Sequence, residues 1–509
     1  MTSLSIESKF PLYLTGIKRI LAILALSMST FLIVLDYSIA NVSLPYIAGD
    51  LGISANQGTY VITSFAVGNA IILPMTGWLT QRIGAVKLLM FSVLGFVILS
   101  WLCGFSSQFG MLIISRFFQG AISGPLVPIC QSLLISTNPA KKRTTVISFW
   151  SMIIIIAPVI GPVVGGWITY DYVWNWIFYI NVPLGLACAA VIWLTLRPFE
   201  TKIQKIPVDW FGFILLSIAV TSLQIILDKG QQFDWFRSNT ILVLSIISLL
   251  CFIYLFAWEK FHPHPILNLS LFKIKSYSVS IIYIMIMYSN YFGAIVLVPL
   301  WLQDYMNYTS LWAGIAVAPL GIAPIFLSSF TGKLINKYGN LPPLFICCIF
   351  FALSCFYSAY FTPNVDIQNI WIARLLMGCG IAFFITPLMA LSIQDIPVDK
   401  LPSATGFFHF VRSMFGGVGT SVFTTIWERR MSFHHARLSA NLTPYTDTFQ
   451  EYIGSLKGLG MDTSQVLNFT NMQLNDQCAI MGLNDVFYLM GWIFLALILL
   501  LPLGRRSKG

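Results

Sequence analysis

Apolar runs of bilayer length recur along this chain from Arg19 to Pro502. Each is close to the ~20 residues a helix needs to cross a hydrocarbon core, and most connections between them are short. Lipid offers an open backbone no hydrogen-bond partners, so helices are the expected form. Fourteen spans are predicted, over 19–42, 57–77, 87–105, 110–135, 144–168, 175–196, 210–228, 239–258, 276–301, 311–332, 342–361, 367–391, 403–427 and 483–503. Only 9% of the residues are charged, against roughly 25% in soluble domains. The 29 basic and 19 acidic groups cannot cover a soluble fold of 509 residues, and an ordinary soluble enzyme is excluded.

A net charge of +10 would suggest nucleic acid in a soluble protein, but no basic stripe with interleaved aromatics is present, and no nucleic acid partner is expected. With the first residues placed in the cytoplasm, 20 of the 29 Lys and Arg fall on that side or at its helix edges, from Lys9 through Arg82, Lys141, Lys142, Arg143, Lys202 and Lys337 to Arg505, Arg506 and Lys508. Six lie outside and three within spans, so the positive-inside rule assigns both termini to the cytoplasm. Lys18 and Arg19 open a retained first helix, because no small-residue cleavage site follows them. Eight of nine cysteines sit in apolar segments, Cys347, Cys348 and Cys355 among them as packing residues, and Cys478 lies in a polar stretch. Neither a disulfide framework nor a metal site is implied. With no Walker A sequence, nucleophile elbow or zinc spacing, no cofactor, metal or enzymatic activity is expected.

Comparison of the two halves defines the architecture. Gly77-x-Leu79-x-x-Arg82-x-Gly84 recurs as Gly332-x-Leu334-x-x-Lys337-x-Gly339, at an offset of 255. Arg116-x-x-x-Gly120 recurs as Arg374-x-x-x-Gly378 at 258, and Pro128 is matched by Pro387. Asp36, nine before Pro45, matches Asn290, nine before Pro299. Three matches near one offset indicate parallel duplication of a six-helix unit, the layout of two-bundle secondary transporters. The offset exceeds six helices by two, and the spare pair is 210–258. The expected domains are therefore an N-terminal bundle over 1–200, two additional helices over 201–270, and a C-terminal bundle over 271–509 with a long periplasmic loop at 428–482.

These motifs resemble the major facilitator superfamily, specifically its fourteen-helix drug:proton antiporters. Three stretches are similar to the EmrB-type inner-membrane multidrug exporters: Leu35 to Val42, Val61 to Phe65, and Trp174 to Pro183, with Tyr60 standing where the family usually has tryptophan. The resemblance implies an all-α membrane protein with the major facilitator fold, two six-helix bundles plus two additional helices. It also implies residence in a bacterial cytoplasmic membrane, contact with membrane lipid, lipophilic small-molecule substrates and protons as ligands, and an EmrA-type periplasmic adaptor with an outer-membrane channel as candidate partners. The alternative for 428–482 is a solvated cap. Its Glu428, Arg429, Arg430, His434 and His435 are too weak a metal signal to count.

Pro158, Gly161, Pro162, Gly165 and Gly166 lie within the 144–168 span and are costly there unless helices approach closely or bend. The run resembles the family's antiporter motif, which is associated with export, and Gly416-Gly417-Val418-Gly419 is only loosely similar to it. Asp36 is the one acid deep within the first-half spans, where a carboxylate is functional by default. It is expected to carry a proton or to contact a substrate cation, the alternative being a solvated or hydrogen-bonded helix-end acid. By resemblance Arg116 tunes a nearby acid in proton transfer, the alternative being a tie to backbone carbonyls. Asp304, near the outer end of its span, is a candidate second proton site or a loop-edge acid. Asn290, His409 and Arg412 are candidates for the substrate cavity or coupling, with a packed histidine as the plainer reading of His409. Gly77, Arg82, Gly84 and Lys87 resemble the family's cytoplasmic gate, with Gln81 where an acid is usual, so the charge lock is weaker or its acid comes from elsewhere.

The expected function is proton-coupled efflux of lipophilic toxic compounds by alternating access around a midplane cavity. The alternatives are an exporter of one endogenous lipid or metabolite, a non-transporting membrane scaffold, and an uptake symporter, which conflicts with the antiporter motif.

Overall fold

The computed structural model describes residues 13–204, 207–263, 265–397, 400–440, 442 and 446–504. Lys9, His264, Arg505, Arg506 and Lys508 lie outside them, and for Lys141 and Pro162 only the helical backbone is described. Among the described residues every regular element is a helix. Eleven are long and apolar enough to cross a bilayer, or twelve if the bent pair Trp312–Ser328 and Phe330–Tyr338 is one span. The predicted spans 144–168 and 403–427 fall within two further helices, of 32 and 39 residues, that are not among those eleven.

In chain order the first helices are α1 (Gly16–Asp50), α2 (Tyr60–Ile72), α3 (Thr76–Ile83), α4 (Ala85–Phe105), α5 (Phe109–Ser123), α6 (Leu126–Ser136), α7 (Ala140–Asp171) and α8 (Asn181–Leu196). A hairpin follows, α9 (Trp210–Lys229) and α10 (Asn239–Phe261). The remainder are α11 (Lys275–Asp304), α12 (Ser310–Val317), α13 (Ile322–Tyr338), α14 (Leu341–Ser358), α15 (Ile367–Ala382), α16 (Ile385–Ile393), α17 (Leu401–Ser439), α18 (Asp447–Gly458) and α19 (Thr463–Ile498). One-turn helices at Ala55–Gly58 and Trp176–Tyr179 complete the connections.

The duplication shows in where helices break. Proline removes a backbone donor and crowds the preceding turn, and α2 gives way to α3 through a tight turn containing Pro74, as α12 gives way to α13 through one containing Pro319. The α5–α6 break at Gly124-Pro125 is matched by the α15–α16 break at Phe383-Phe384. Gly84 and Gly339, the repeated glycines of the gate motif, both hold positive φ, 96° and 85°, a conformation that side chains resist. That is a local reason for their recurrence, because each turns the chain from one helix straight into the next.

The expected loop over 428–482 is corrected. It is largely helical: α17 continues to Ser439, α18 intervenes, and α19 begins at Thr463 on a capping box of Asp462 and Gln465. Asp485 of α19 ties the extension together, 2.7 Å from both the Arg430 guanidinium and the His434 ring. Cys478, in the polar stretch, is fully buried, and all nine cysteines are free.

Candidate transport site

The candidate proton-coupling side chains of the first half, Asp36 and Arg116, meet. The Asp36 carboxylate is buried and accepts a 2.6 Å charged hydrogen bond from Arg116 of α5, which is also fully buried. Oδ1 accepts from Asn181 of α8 at 2.8 Å and from Gln119 of α5 at 3.4 Å. Arg116 donates further to Gln119, 2.8 Å, and to the Val61 carbonyl of α2, 3.3 Å. The Phe65 and Phe178 rings face its guanidinium at 4.5 and 5.3 Å. One guanidinium nitrogen, Nη2, is buried with no partner. Such a pair is costly to break from one side, by ~3–5 kcal/mol, because the survivor is an uncompensated buried charge. Of the alternatives read from sequence, a solvated helix-end acid does not fit a carboxylate with three side-chain donors.

The glycine-bearing helix α7 lies directly on this segment of α1. A Cβ at Gly161 would fall 2.3 Å from the Ser38 hydroxyl, and one at Gly165 would fall 3.1 Å from Ile39. Ser38 donates to the Pro158 carbonyl at 3.3 Å. Gly166 meets nothing within 4 Å, and Pro158 is exposed. The second half repeats the joint where the sequence showed only loose similarity. A Cβ at Gly419 of α17 would fall 2.0 Å from the Ser289 carbonyl oxygen of α11, and Ser289 donates to the Phe415 carbonyl at 2.8 Å. The serine is shifted one helical turn relative to its mate, which hides the match from a letter-by-letter comparison.

The second-half charges differ. Asn290 donates only to its own helix, at Ile286, and its Oδ1 is unpartnered. Arg374 donates to the Ala294 carbonyl at 3.0 Å and to Ser358 at 3.1 Å, with Met377 where Gln119 stands in the first half. No carboxylate pairs with Arg374 among the described residues. Arg412 of α17 is half-buried with its guanidinium 5.5 Å from the Tyr288 ring centre, and it too has no carboxylate partner there. Asp304 is exposed at the last turn of α11 and is not part of the Asp36 cluster.

The two halves meet at the end that carries the gate motif. A Cβ at Gly77 would lie 1.9 Å from the Ser403 hydroxyl of α17, and one at Gly332 would lie 3.2 Å from the Ser148 hydroxyl of α7. Ser148 and Ser403 are separated by the same 255 residues as the two glycines, so the seal is one contact made twice. Beside it His409, buried, lies 2.7 Å from Gln131 of α6, and Thr405 donates to the Pro128 carbonyl at 3.3 Å. His409 therefore belongs to the seal between halves.

With Gln81 uncharged, the carboxylate at this turn is that of Glu200. Its two oxygens accept the Val86 and Lys87 amides at 3.0 and 2.9 Å, while Thr201 accepts the Ala85 amide at 2.9 Å. A carboxylate here satisfies orphan donors and meets the positive pole of α4. Arg82 stacks on Trp78, 5.5 Å, and Lys87 is exposed. Sequence reasoning missed Gln119, Asn181, Ser148, Ser403 and Glu200. The 255-residue offset would have found the serines, whereas no motif in the sequence marks Glu200 as the acceptor for the α4 amides.

A helical chain with duplicated halves, a glycine seal between them and an ion pair buried within one half defines a secondary transporter. Residues 26–420 match the family model described as Major Facilitator Superfamily, and the chain belongs to that family. It is similar to the multidrug export protein EmrB of Escherichia coli strain K12, 41% identical over 95% of both chains. It also resembles the fatty acid resistance protein FarB of Neisseria gonorrhoeae, 40% identical over 93% of this chain and 94% of that one. Among solved structures, the human organic anion transporter MFSD10 shares the fold with a TM-score of 0.59 at 10% identity, covering 94% of this chain and all of that one. The protein is a multi-pass membrane transporter and not an enzyme.

Proposed function

We propose that the protein is a proton-driven exporter of lipophilic toxic compounds, a fourteen-span drug:proton antiporter working by alternating access. The chain reads as a bundle over 1–200, two added spans over 201–270 and a bundle over 271–509. The observation that carries the proposal is the Asp36–Arg116 pair, buried inside the first half and lying on the same turn of α1 that α7 grips through Gly161. The 41% identity to a multidrug export protein supports the same reading.

A proton delivered to Asp36 removes its negative charge and leaves Arg116 with Gln119 and the Val61 carbonyl. The cost of an unpaired buried cation then favours a different helix arrangement, and the Ser38–Gly161 contact carries the change into α7. By the positive-inside rule the basic end is cytoplasmic, as are both termini, so the glycine seal with Gly77, Gly84, Arg82, Lys87 and His409 is the cytoplasmic gate. Arg412 and Asn290 line the path between halves. The extended α17 and α19 offer a periplasmic surface for an adaptor of the EmrA type and, through it, an outer-membrane channel. The similarity to a fatty acid resistance protein adds fatty acids to the lipophilic compounds to test, and the alternative is an exporter of a specific endogenous lipid or metabolite.

The test is fluorescence-followed transport in proteoliposomes under an imposed pH gradient. Movement of lipophilic compounds opposite to protons, lost in Asp36→Asn, is expected. Retention in the variant moves the proton site, with Asp304 the next acid to change. No gradient-driven movement of any lipophilic compound, fatty acids included, would sink the proposal.

A further inference from the structure

A second acid stands between the halves, on the added hairpin. Asp228 lies one residue before the end of α9, half-buried, and its Oδ2 accepts the Thr63 hydroxyl of α2 at 2.7 Å. No cationic side chain pairs with it among the described residues. Its neighbour Lys229 turns to Thr59, 3.0 Å, and to the Tyr60 ring, 4.4 Å. Asp36, by contrast, is fully occupied by Arg116, Asn181 and Gln119.

The position of α9 places this acid at the seam. On one side α9 is held by Thr63 and Thr59 of α2. On the other the Ser421 hydroxyl of α17 donates to the Leu227 carbonyl, and Thr425 donates to Gln231 just beyond the helix at 3.1 Å. Tyr37, the residue after Asp36, interacts electrostatically with Asp228, with Arg116 and with Tyr288 of the opposite half. Tyr37 remains 37% exposed, and the Phe65 ring is 6.1 Å from it. A carboxylate without a counter-ion at the end of an apolar span is expensive. With the Thr63 hydroxyl bonded to it and the Tyr37 phenol within electrostatic reach, it has the chemistry that attracts an organic cation, through charge and through an aromatic face.

We propose that Asp228 docks the positively charged head group of lipophilic cationic substrates, with Tyr37 as an aromatic wall. The inference rests on reading the chain as an exporter. It gives the added hairpin a part in selecting cargo, and it separates the cargo acid from the proton acid, Asp36.

The experiment compares the purified full chain with Asp228→Asn and Asp228→Glu. Tetraphenylphosphonium and 8-anilinonaphthalene-1-sulfonate, cationic and anionic probes, are followed by equilibrium dialysis and by gradient-driven movement in proteoliposomes. Asp228→Asn is expected to weaken tetraphenylphosphonium binding by roughly tenfold or more, Asp228→Glu to retain most of it, and sulfonate binding to stay unchanged in both. Unaltered cation binding in Asp228→Asn would overturn the proposal, as would failure of the natural protein to bind the cation. Parallel loss of both probes with a lowered unfolding temperature would overturn it too, by showing a structural role. Gradient-driven sulfonate movement that persists after any of these results leaves the exporter reading standing, whereas cation binding without proton-driven movement of either probe sinks that reading and keeps the Asp228 site.

Discussion

The first and second halves keep the same joints and differ in charge. Ser38 with Gly161 and Ser289 with Gly419 fasten the first helix of each half to its fifth, and Gly77–Ser403 and Gly332–Ser148 close the same end twice. Yet Asp36 faces Arg116 with amide donors around both, while among the described residues Asn290 and Arg374 have backbone, serine, methionine and phenyl-ring partners and no carboxylate. Packing contacts suit any two-bundle machine and are retained in both copies. Among the described residues a fully buried ion pair occurs in the first half alone, so under the proposed function the first bundle handles charge and the second is mainly its mechanical partner.

The sharpest break of this comparison is a charge exchange. Asp36→Asn is expected to abolish proton-coupled transport and to cost ~3–5 kcal/mol of stability, since Arg116 stays buried and unpaired. Adding Asn290→Asp should not rescue it, because the second half lacks counterparts of the Gln119 and Asn181 donors. Vesicle export and thermal unfolding of both variants decide the matter, and a rescued double variant would show that the halves are interchangeable. Next come the joints, where alanine at Gly419 should cost more than at Gly161, within ~1–3 kcal/mol. The former Cβ meets backbone and the latter a hydroxyl, so an inverted order in unfolding measurements would dismiss the shared-joint reading. Third, in a cysteine-free background, cysteine pairs at Gly77/Ser403 and Gly332/Ser148 should cross-link together and lose cross-linking together when substrate is added. Independent responses would mean that the seal is not one unit. The smallest effect belongs to Glu200→Gln, which should leave transport intact and weaken local protection of the Val86 and Lys87 amides by ~0.5–1 kcal/mol, read by hydrogen exchange. Among the described residues no carboxylate caps the matching turn of the second half, and α14 opens instead on Pro342 and Pro343, which present no amide.

The apolar runs, the repeat and the Asp36–Arg116 candidates were legible in the sequence because each is a local or periodic property. Hydropathy sees the membrane, spacing sees duplication, and a lone intramembrane acid stands out by its cost. What escaped was set by three-dimensional neighbourhood. Asn181 lay inside a recognised stretch, but nothing in one dimension says that its amide reaches Asp36. Asp228 closes a predicted span, a place that in sequence marks only a helix end, while in the fold that end sits between the α2 and α17 contacts. The polar 428–482 region was taken for a loop because hydropathy measures lipid contact and not helicity.

That misread region has a mechanical consequence. At 39 residues α17 is ~58 Å long, against ~30 Å of hydrocarbon. One continuous rod starts beside the seal at Ser403 and His409 and ends far from it, where Arg430 and His434 fasten it to α19. Whatever tilts its inner end swings its outer end through a larger arc, so the rod acts as a pointer that displays the state of the closed end to anything standing on the far side.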